Sequence, residues 1–417
     1  MDFDFYFFMT SYTIIENGTI TTPNGFVAGG LHCGIKRKRN DLAIIFSQVP
    51  AICSAVYTTN KMKAPPLVRC EALTKQKEKI QAVVITSGNA NSCTGEKGYQ
   101  DATDIAEHVA KNLGIATNTV LSTATGVIGV FLPMEKIHAG IDKLIPILDS
   151  SQASAEQCAL GIMTTDTFIK NVCVSVKVSG TNVKIAGIAK GSGMIHPNMA
   201  TMLNFITTDA AISQEMLDLA FKKCVGDSFN MITVDGDQST NDMAVVLANG
   251  EAKNEVINHQ DAEFEKFSEA LLFVMQKLAK DIAADGEGAS HLLECKVEGA
   301  KTEAQAKKCV KQILSSSLVK AAFFGKDANF GRIISAIGQS EVDFDEAKVK
   351  ILFISNVGEI CVFDGKPVAF DESEAVKILT EQEITIFVSL GVGNSTATGW
   401  GCDLTHDYVK INASYRS

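Results

Sequence analysis

The hydrophobic positions along the chain follow two patterns, and the first is a set of short apolar runs. These runs are rich in Val, Ile and Phe and are bounded by polar residues or glycine, which is typical of buried strands. We predict strands over residues 42–46, 82–86, 349–355 and 384–390.

The second pattern is apolar residues repeated at helical spacing, which predicts amphipathic helices. The segment 101–113 ends before Gly114, a residue that favours a left-handed helix cap. A longer helix is predicted over 261–280, and Thr302 with Gln305 forms a capping box ahead of a third helix. The apolar stripes are Ile105, Val109 and Leu113; Phe264, Phe267, Leu271, Met275 and Leu278; and Ala306, Cys309, Val310 and Ile313.

Together these elements predict a mixed α/β protein in which helices cover sheets. Crossover helices do not regularly follow the strands, so a simple doubly wound sheet is disfavoured. The length of 417 residues and the 46% hydrophobic content allow one large core or two smaller ones. The least structured segment is predicted at 187–199, which holds three glycines and a proline.

Composition narrows the function classes. The net charge of −10 argues against nucleic acid as a partner, because phosphate binding needs a basic face. The basic run 36–39 is interpreted as a solvated loop. The eleven cysteines form no CxxC pair and the seven histidines no HExxH motif, so neither a disulfide framework nor a zinc site is predicted.

The start of the chain and its hydropathy predict a cytoplasmic protein. No run of eighteen apolar residues occurs, so no membrane span is expected. The first eight residues are apolar but carry acids rather than the basic region of a signal peptide. Met9 is an alternative start to Met1, because no core role is predicted for the residues before it.

The segment with the most informative chemistry runs from Lys190 to Phe205. A glycine-rich, proline-containing loop leads into an apolar segment at Thr201, within the sequence Met-Ala-Thr-Met-Leu. From local pattern alone, Thr201 is a β-branched residue that begins a strand.

The wider sequence resembles the ornithine acetyltransferase (glutamate N-acetyltransferase, or ArgJ) family, whose processing site carries this Met-Ala-Thr-Met-Leu segment. The resemblance is specific because several matching segments occur together. They follow one another in order from about residue 13 to the last residue. The further matching segments are 87–91 with 93–95, 125–129, 163–167, 233–237, 285–289, 326–332 and 411–417.

The resemblance implies a layered αββα sandwich and autocatalytic cleavage between Ala200 and Thr201. The α chain would then be residues 1–200 and the β chain residues 201–417, with two copies of each forming a heterotetramer. It also implies transfer of an acetyl group from N2-acetyl-ornithine to glutamate through acetyl-Thr201. Neither a cofactor nor a metal ion is implied, and acetyl-CoA as a second acetyl donor stays open.

The resemblance also assigns the site residues. Thr201 would be the nucleophile, and Thr125 with Gly126 would form the oxyanion hole. Position 124 is Ala, where many relatives are expected to carry Ser. The implied substrate contacts are Thr167, Lys190, Thr201, Glu287, Asn412 and Ser417.

The residue types suit this chemistry. A threonine hydroxyl needs a nearby base, and cleavage would free the α-amine of Thr201, whose pKa is about 7.7–8.0 in model peptides. Lys190 offers a positive charge for a substrate carboxylate. Glu287 can receive an ammonium group or direct a proton.

Two other functions stay open at this point. One is a self-processing aminopeptidase or amidase in which water replaces glutamate, and the other is an uncleaved amino-acid-binding protein. His196 beside the cleavage site is a weaker catalytic candidate. The acidic run 235–242 lacks the glycine and glutamate of a calcium loop, and Gly391 and Gly393 lack the third glycine of a dinucleotide site.

Overall fold

The computed structural model describes residues 10–196 and 202–414. Its strands are β1 Tyr12–Ile14, β2 Phe26–Leu31, β3 Leu42–Tyr57, β4 Ile80–Asn89, β5 Val120–Val127, β6 Lys170–Val178, β7 Thr181–Lys190, β8 Leu203–Thr208, β9 Ile232–Thr233, β10 Met243–Ala248, β11 Leu292–Ala300, β12 Lys350–Ser355, β13 Gly358–Asp364, β14 Glu383–Ser389 and β15 Ser395–Cys402. Its helices are α1 Pro65–Lys75, α2 Gly95–Leu113, α3 Met134–Leu144, α4 Gln152–Ile162, α5 Gln214–Gly226, α6 Ala262–Ala284, α7 Glu303–Ser315, α8 Ser317–Phe324, α9 Phe330–Gln339, α10 Glu372–Ile378 and α11 His406–Ala413.

The larger sheet has the strand order β1-β6-β7-β8-β10-β3-β4-β5, with β2 paired to β3. Strand β3 is 16 residues long and changes partners along its length. Its first part pairs with β2 and β4, and its last six residues pair with β10. This exchange lets one long strand belong to both halves of the sheet.

The two halves of this sheet pack face to face. One buried cluster joins side chains of the β2–β5 half, such as Ile45 and Val83, to side chains of the other half, such as Phe205 and Val245. A second cluster packs α2 and α3 on the outer face of the β2–β5 half, and a third places α5 and α6 against the other half. The resulting order of layers is the predicted αββα sandwich.

The smaller sheet has the order β13-β12-β14-β11-β15-β9, and helix α7 packs on β11 and β15. Helix α6 contacts strands of both sheets, so its apolar surface joins the smaller sheet to the sandwich. Among the described residues no helix has the length and apolar character to cross a membrane.

All four strands and three helices predicted from the sequence are present, with boundaries shifted by a few residues or more. Gly114 adopts the left-handed conformation expected of a cap, at φ 70°. The predicted capping box at Thr302 is only half formed. Thr302 accepts the Gln305 N–H, whereas the Gln305 side chain turns away and donates to Asp343 at 3.0 Å.

The predicted unstructured segment begins too early. Residues 187–190 belong to β7, which pairs with β6 on one side and β8 on the other. Gly187 is needed for packing rather than for a loop, since a Cβ there would lie 2.8 Å from Leu278 Cδ1 and 3.2 Å from Val274 Cγ1 of α6. The absence of a side chain lets the helix approach the strand closely.

Candidate functional site

The end of β5 presents Thr125 and Gly126 at the predicted oxyanion turn. Strands β4 and β5 run parallel, and their register breaks at Gly88 and Asn89, opposite Gly126. Gly126 has φ 133°, and a Cβ there would lie 2.3 Å from the carbonyl carbon of Gly88. Only glycine fits this close approach of two strands, which explains why the turn carries it.

Lys190 ends β7 and faces this turn. Its Nζ lies 3.4 Å from Thr125 Oγ1, and the side chain is buried. Burial lowers the pKa of Lys190 below the usual lysine value, although Asp166 opposes this shift. A buried ammonium group of this kind gains stability when a carboxylate binds beside it.

A buried ion network lies behind Lys190. Lys170 Nζ donates to Asp166 Oδ1 at 2.7 Å and to Asp285 Oδ2 at 2.5 Å. Burial raises the pKa of Asp166, but Lys170 and Lys190 outweigh that effect and hold it at about 2. Asp166 also accepts the Gly191 N–H at 2.7 Å, so the network fixes the start of the glycine-rich loop.

The described part of the glycine-rich loop is held at further points. Ser192 Oγ donates to the Asp285 carbonyl at 2.7 Å, and the N–H groups of Met194 and Ile195 donate to Asp235 at 2.6 and 2.8 Å. Met194 has φ 57°, a left-handed conformation that is unusual for this residue type. The loop is therefore fixed by hydrogen bonds in a strained shape.

Glu287 and Asn412 meet on the other side of the cavity. Asn412 Nδ2 donates to Glu287 Oε2 at 2.8 Å, and the Glu287 N–H donates to the Ser192 carbonyl at 2.9 Å. A Cβ at Gly193 would lie 2.3 Å from Glu287 Oε2, so this glycine makes room for the carboxylate. Helix α11 holds Asn412 here, because its N-cap Thr405 donates to the Gly288 carbonyl at 2.6 Å.

These residues surround one cavity of about 250 Å³. Its lining includes the predicted site residues Thr125, Gly126, Lys190, Glu287 and Asn412. Met202, which follows Thr201 in the chain, also lines it. The cavity lies between a turn of the first half of the chain and the C-terminal helix. Its size and polarity suit an amino acid.

The remaining predicted site residues lie elsewhere. Thr167 is not in the cavity lining, and its N–H donates to Asp285 Oδ2 at 3.0 Å, so it contributes to the ion network. Ala200, Thr201 and Ser417 lie outside the described residues. His196 Nδ1 lies 3.0 Å from Thr233 Oγ1, and burial together with Lys311 lowers its pKa to about 4.

Sequence reasoning weighed the run 235–242 only as a calcium loop and missed that residues 239–242 line the cavity. Asn241 Nδ2 donates to the carbonyls of Ala90 and Ala124 at 2.6 and 2.9 Å, which joins this segment to the oxyanion turn. Asp242 follows it, 3% exposed, on the cavity wall. The signal was the polar run 239–242 directly before an apolar strand. Within the described ranges no group of side chains could hold a metal ion.

Comparison with known proteins places these observations in a family. A model described as the ArgJ family matches residues 27–417. The arginine biosynthesis bifunctional protein ArgJ of Caldanaerobacter subterraneus subsp. tengcongensis is 52% identical over 404 residues, which cover 97% of this chain and 100% of that protein. The protein of the same name from Oceanobacillus iheyensis is 48% identical over 406 residues, covering 97% and 98%.

The solved structures that are similar to this chain include the crystal structure of arginine biosynthesis bifunctional protein argJ from Bacillus halodurans. It is 43% identical, covers 45% of this chain and 98% of that chain, and has a TM-score of 0.44. A structure of ornithine acetyltransferase complexed with ornithine from Mycobacterium tuberculosis is 33% identical, covers 45% and 100%, and has a TM-score of 0.42.

Proposed function

The chain belongs to the ArgJ family and is an acyltransferase of arginine biosynthesis, and from that premise we propose how its cavity works. The chain cuts itself between Ala200 and Thr201. The new N-terminal Thr201 then takes an acetyl group from N2-acetyl-ornithine and passes it to glutamate. The observation that carries this proposal is that Met202, next to Thr201, lines the same cavity as Thr125, Gly126 and Lys190.

Self-cleavage makes the base that the transfer needs. The Thr201 hydroxyl oxygen adds to the Ala200 carbonyl carbon, the peptide carbon–nitrogen bond breaks, and water hydrolyses the resulting ester. The product has a free α-amine on the same residue as the nucleophilic hydroxyl. This amine accepts the hydroxyl proton directly or through one water, because a substantial fraction is neutral near pH 7.

Acetyl transfer then proceeds in two half-reactions. The Thr201 oxygen attacks the acetyl carbonyl, ornithine leaves with a proton on its nitrogen, and the acetyl group remains as an ester. The glutamate amine attacks this ester, the proton returns to the Thr201 oxygen, and N-acetyl-glutamate leaves. Each tetrahedral intermediate carries an oxyanion, which the Thr125 hydroxyl and the Gly126 N–H stabilise by about 3–4 kcal/mol per donor.

The walls of the cavity suit a zwitterionic substrate. Lys190 binds the α-carboxylate, since it is a buried cation next to the oxyanion turn. Glu287 binds the ammonium group or guides its proton, and Asn412 orients the Glu287 carboxylate through their hydrogen bond. Ser417 would complete the pocket. Thr167 would act from behind it, through Asp285.

Membership of the same family also supports proposals about assembly, location, cofactor and acetyl donor. The two chains form a heterotetramer in the cytoplasm and need no cofactor. Relatives are named bifunctional proteins, which supports acetyl-CoA as a second acetyl donor. Formation of N-acetyl-glutamate from glutamate and acetyl-CoA would establish that second activity.

A denaturing gel tests the self-cleavage directly. Wild type should give two bands of about half size, and the larger fragment should begin with Thr201 on N-terminal sequencing. Thr201→Ala should give one full-length inactive band. A wild-type chain that stays whole after native expression would exclude the mechanism.

A further inference from the structure

The carboxyl group of Asp242 is an acidic group that the acetyl transfer described above leaves without a role. It is buried on the wall of the cavity that Lys190 also lines. Across residues 10–196 and 202–414, no group forms a hydrogen bond with its Oδ2. Leaving a buried polar atom unsatisfied costs free energy, so this oxygen is expected to gain a partner during function.

The backbone places Asp242 close to Met202, the residue that follows Thr201 in the chain. Strand β10 begins at Met243 and runs parallel to β8, with Met243 opposite Leu203. The Met243 N–H donates to the Met202 carbonyl at 2.8 Å, so Asp242 lies where β8 begins. Thr201 directly precedes Met202 in the chain, so a single residue separates its nitrogen from this point of the sheet.

Asp242 is also held rigidly. The Thr58 N–H donates to its carbonyl at 3.0 Å, which fixes the backbone from the side of β3. The preceding residue, Asn241, donates to the carbonyls of Ala90 and Ala124 and so fixes the segment to the oxyanion turn. The carboxyl is thus placed relative to both the turn and the start of β8.

The surroundings favour the neutral acid. Burial raises the pKa of Asp242 well above the usual range of a carboxyl, and hydrogen bonding from Ser239 and the charge of Lys190 lower it by less. A carboxylic acid that keeps its proton near neutral pH can donate it.

The first step of cleavage needs such a donor. An amide nitrogen leaves a tetrahedral intermediate only when it is protonated, because its anion is too basic to depart. We propose that Asp242 is the proton donor of self-cleavage and protonates the departing nitrogen of Thr201. This inference rests on the self-cleavage proposed above.

The protons balance through one carboxyl group. The Thr201 oxygen bonds to the Ala200 carbonyl carbon, the carbon–nitrogen bond breaks, and the nitrogen takes the Asp242 proton. The Thr201 hydroxyl proton goes to the Asp242 carboxylate and restores the acid. Water then adds its hydroxyl group to the Ala200 carbonyl carbon, the ester bond to the Thr201 oxygen breaks, and that oxygen takes the remaining proton of the water.

The test follows cleavage of the full-length chain over time on denaturing gels. Asp242→Asn keeps the size of the side chain but removes the acidic proton, and we expect cleavage to slow by about 10²-fold or more. The control is Asp237→Asn, because Asp237 is an exposed carboxylate of the same segment. It should cleave at the wild-type rate.

Hydroxylamine identifies the step that is blocked, because it cleaves esters rapidly and peptide bonds slowly. If Asp242 acts before the ester forms, hydroxylamine will not restore cleavage of Asp242→Asn. Restored cleavage would move the role of Asp242 to ester hydrolysis and overturn the proposal.

A second variant separates proton transfer from packing. Asp242→Ala opens space beside the cavity, and added formate supplies a small acid that should restore cleavage in a concentration-dependent way. Failure of formate in a chain whose circular dichroism matches wild type would overturn the proposal. Normal cleavage of Asp242→Asn together with a raised KM for N2-acetyl-ornithine would also overturn the proposal, because Asp242 would then serve substrate binding. An uncleaved wild type would instead refute the proposed function.

Discussion

At the residue scale, strand β5 carries two threonines in contrasting surroundings. Thr125 Oγ1 lies at the cavity next to Lys190 Nζ. Thr123 Oγ1, two residues earlier, is buried and has no hydrogen-bond partner among the described residues. The same side chain therefore has a proposed catalytic role at one position and none at the other.

Replacing these two hydroxyl groups by methyl groups separates catalysis from packing. Thr125→Val removes a proposed oxyanion donor and should lower kcat by about 10²–10³-fold with little change in Tm. Thr123→Val removes an unsatisfied hydroxyl, so its activity should stay at the wild-type level and its Tm should stay equal or rise. Steady-state kinetics and calorimetry of both variants check this, and equal kcat values would remove Thr125 from the oxyanion hole.

Asp166 provides a prediction about pH and stability. Its folded-state pKa of about 2 lies below the usual 3.8, so its contribution is complete above pH 3.8 and disappears as pH falls through 2. Asp166→Asn leaves Lys170 with Asp285 as its one carboxylate partner in the described structure, and it should lower the unfolding free energy by about 3–5 kcal/mol at pH 6.

The check is calorimetry of wild type and Asp166→Asn between pH 6 and pH 2. The difference in Tm should be large at pH 6 and shrink toward pH 2, because the wild-type carboxyl becomes protonated as well. A difference that is constant across this range would show that charge at Asp166 does not stabilise the fold.

At the element scale, helix α11 connects the C-terminal region to the cavity. Its N-cap Thr405 accepts the Asp407 N–H at 3.1 Å and donates to the Gly288 carbonyl next to Glu287. Loss of an N-cap costs about 0.5–2 kcal/mol, and here it would also loosen the helix that carries Asn412.

Thr405→Ala should therefore raise KM for N2-acetyl-ornithine more than it lowers kcat, and Thr405→Ser should restore both. The matched control is Thr302→Ala, which removes the N-cap of α7 on the smaller sheet. It should lower Tm by a similar amount and leave KM unchanged. If both variants changed KM equally, the effect would come from global stability rather than from α11.

At the scale of the whole molecule, the proposed cut does not divide the chain into separate units. Strands β8 and β10 follow residue 201, yet they lie between β7 and β3, which precede it. Both neighbours of this strand pair therefore belong to the other proposed chain, and their hydrogen bonds join the two chains in one sheet.

The two chains should consequently stay together after cleavage. We expect residues 1–200 and 201–417 to co-elute in size-exclusion chromatography under native conditions and to separate only in denaturant. Native separation into two folded fragments would contradict the shared sheet.

The sequence predicted the features that depend on local pattern. The stripe from Phe264 to Leu278 predicts α6 because helical periodicity is a local property. The site residues came instead from the family resemblance, because nothing in the neighbourhood of Glu287 indicates that Asn412 will bind it.

Long-range geometry explains the misses. In the sequence Gly187 has the features of a loop residue, and only the packing of α6 against it shows why a strand carries glycine there. The Gln305 side chain hydrogen-bonds to Asp343 instead of to the N-terminus of its own helix. The role of Asp242 depends on the pairing of β10 with β8, which no local pattern reveals.

In the proposed mechanism, Thr201 carries the acetyl group in the cavity bounded by Thr125, Gly126 and Lys190. Intact-mass and peptide mass spectrometry after incubation with N2-acetyl-ornithine, without glutamate, tests it most directly. The prediction is one added acetyl group on the fragment 201–417, located on Thr201 and lost when glutamate is added. An unmodified fragment with ongoing turnover, or an acetyl group on another residue, would exclude Thr201 as the acetyl carrier.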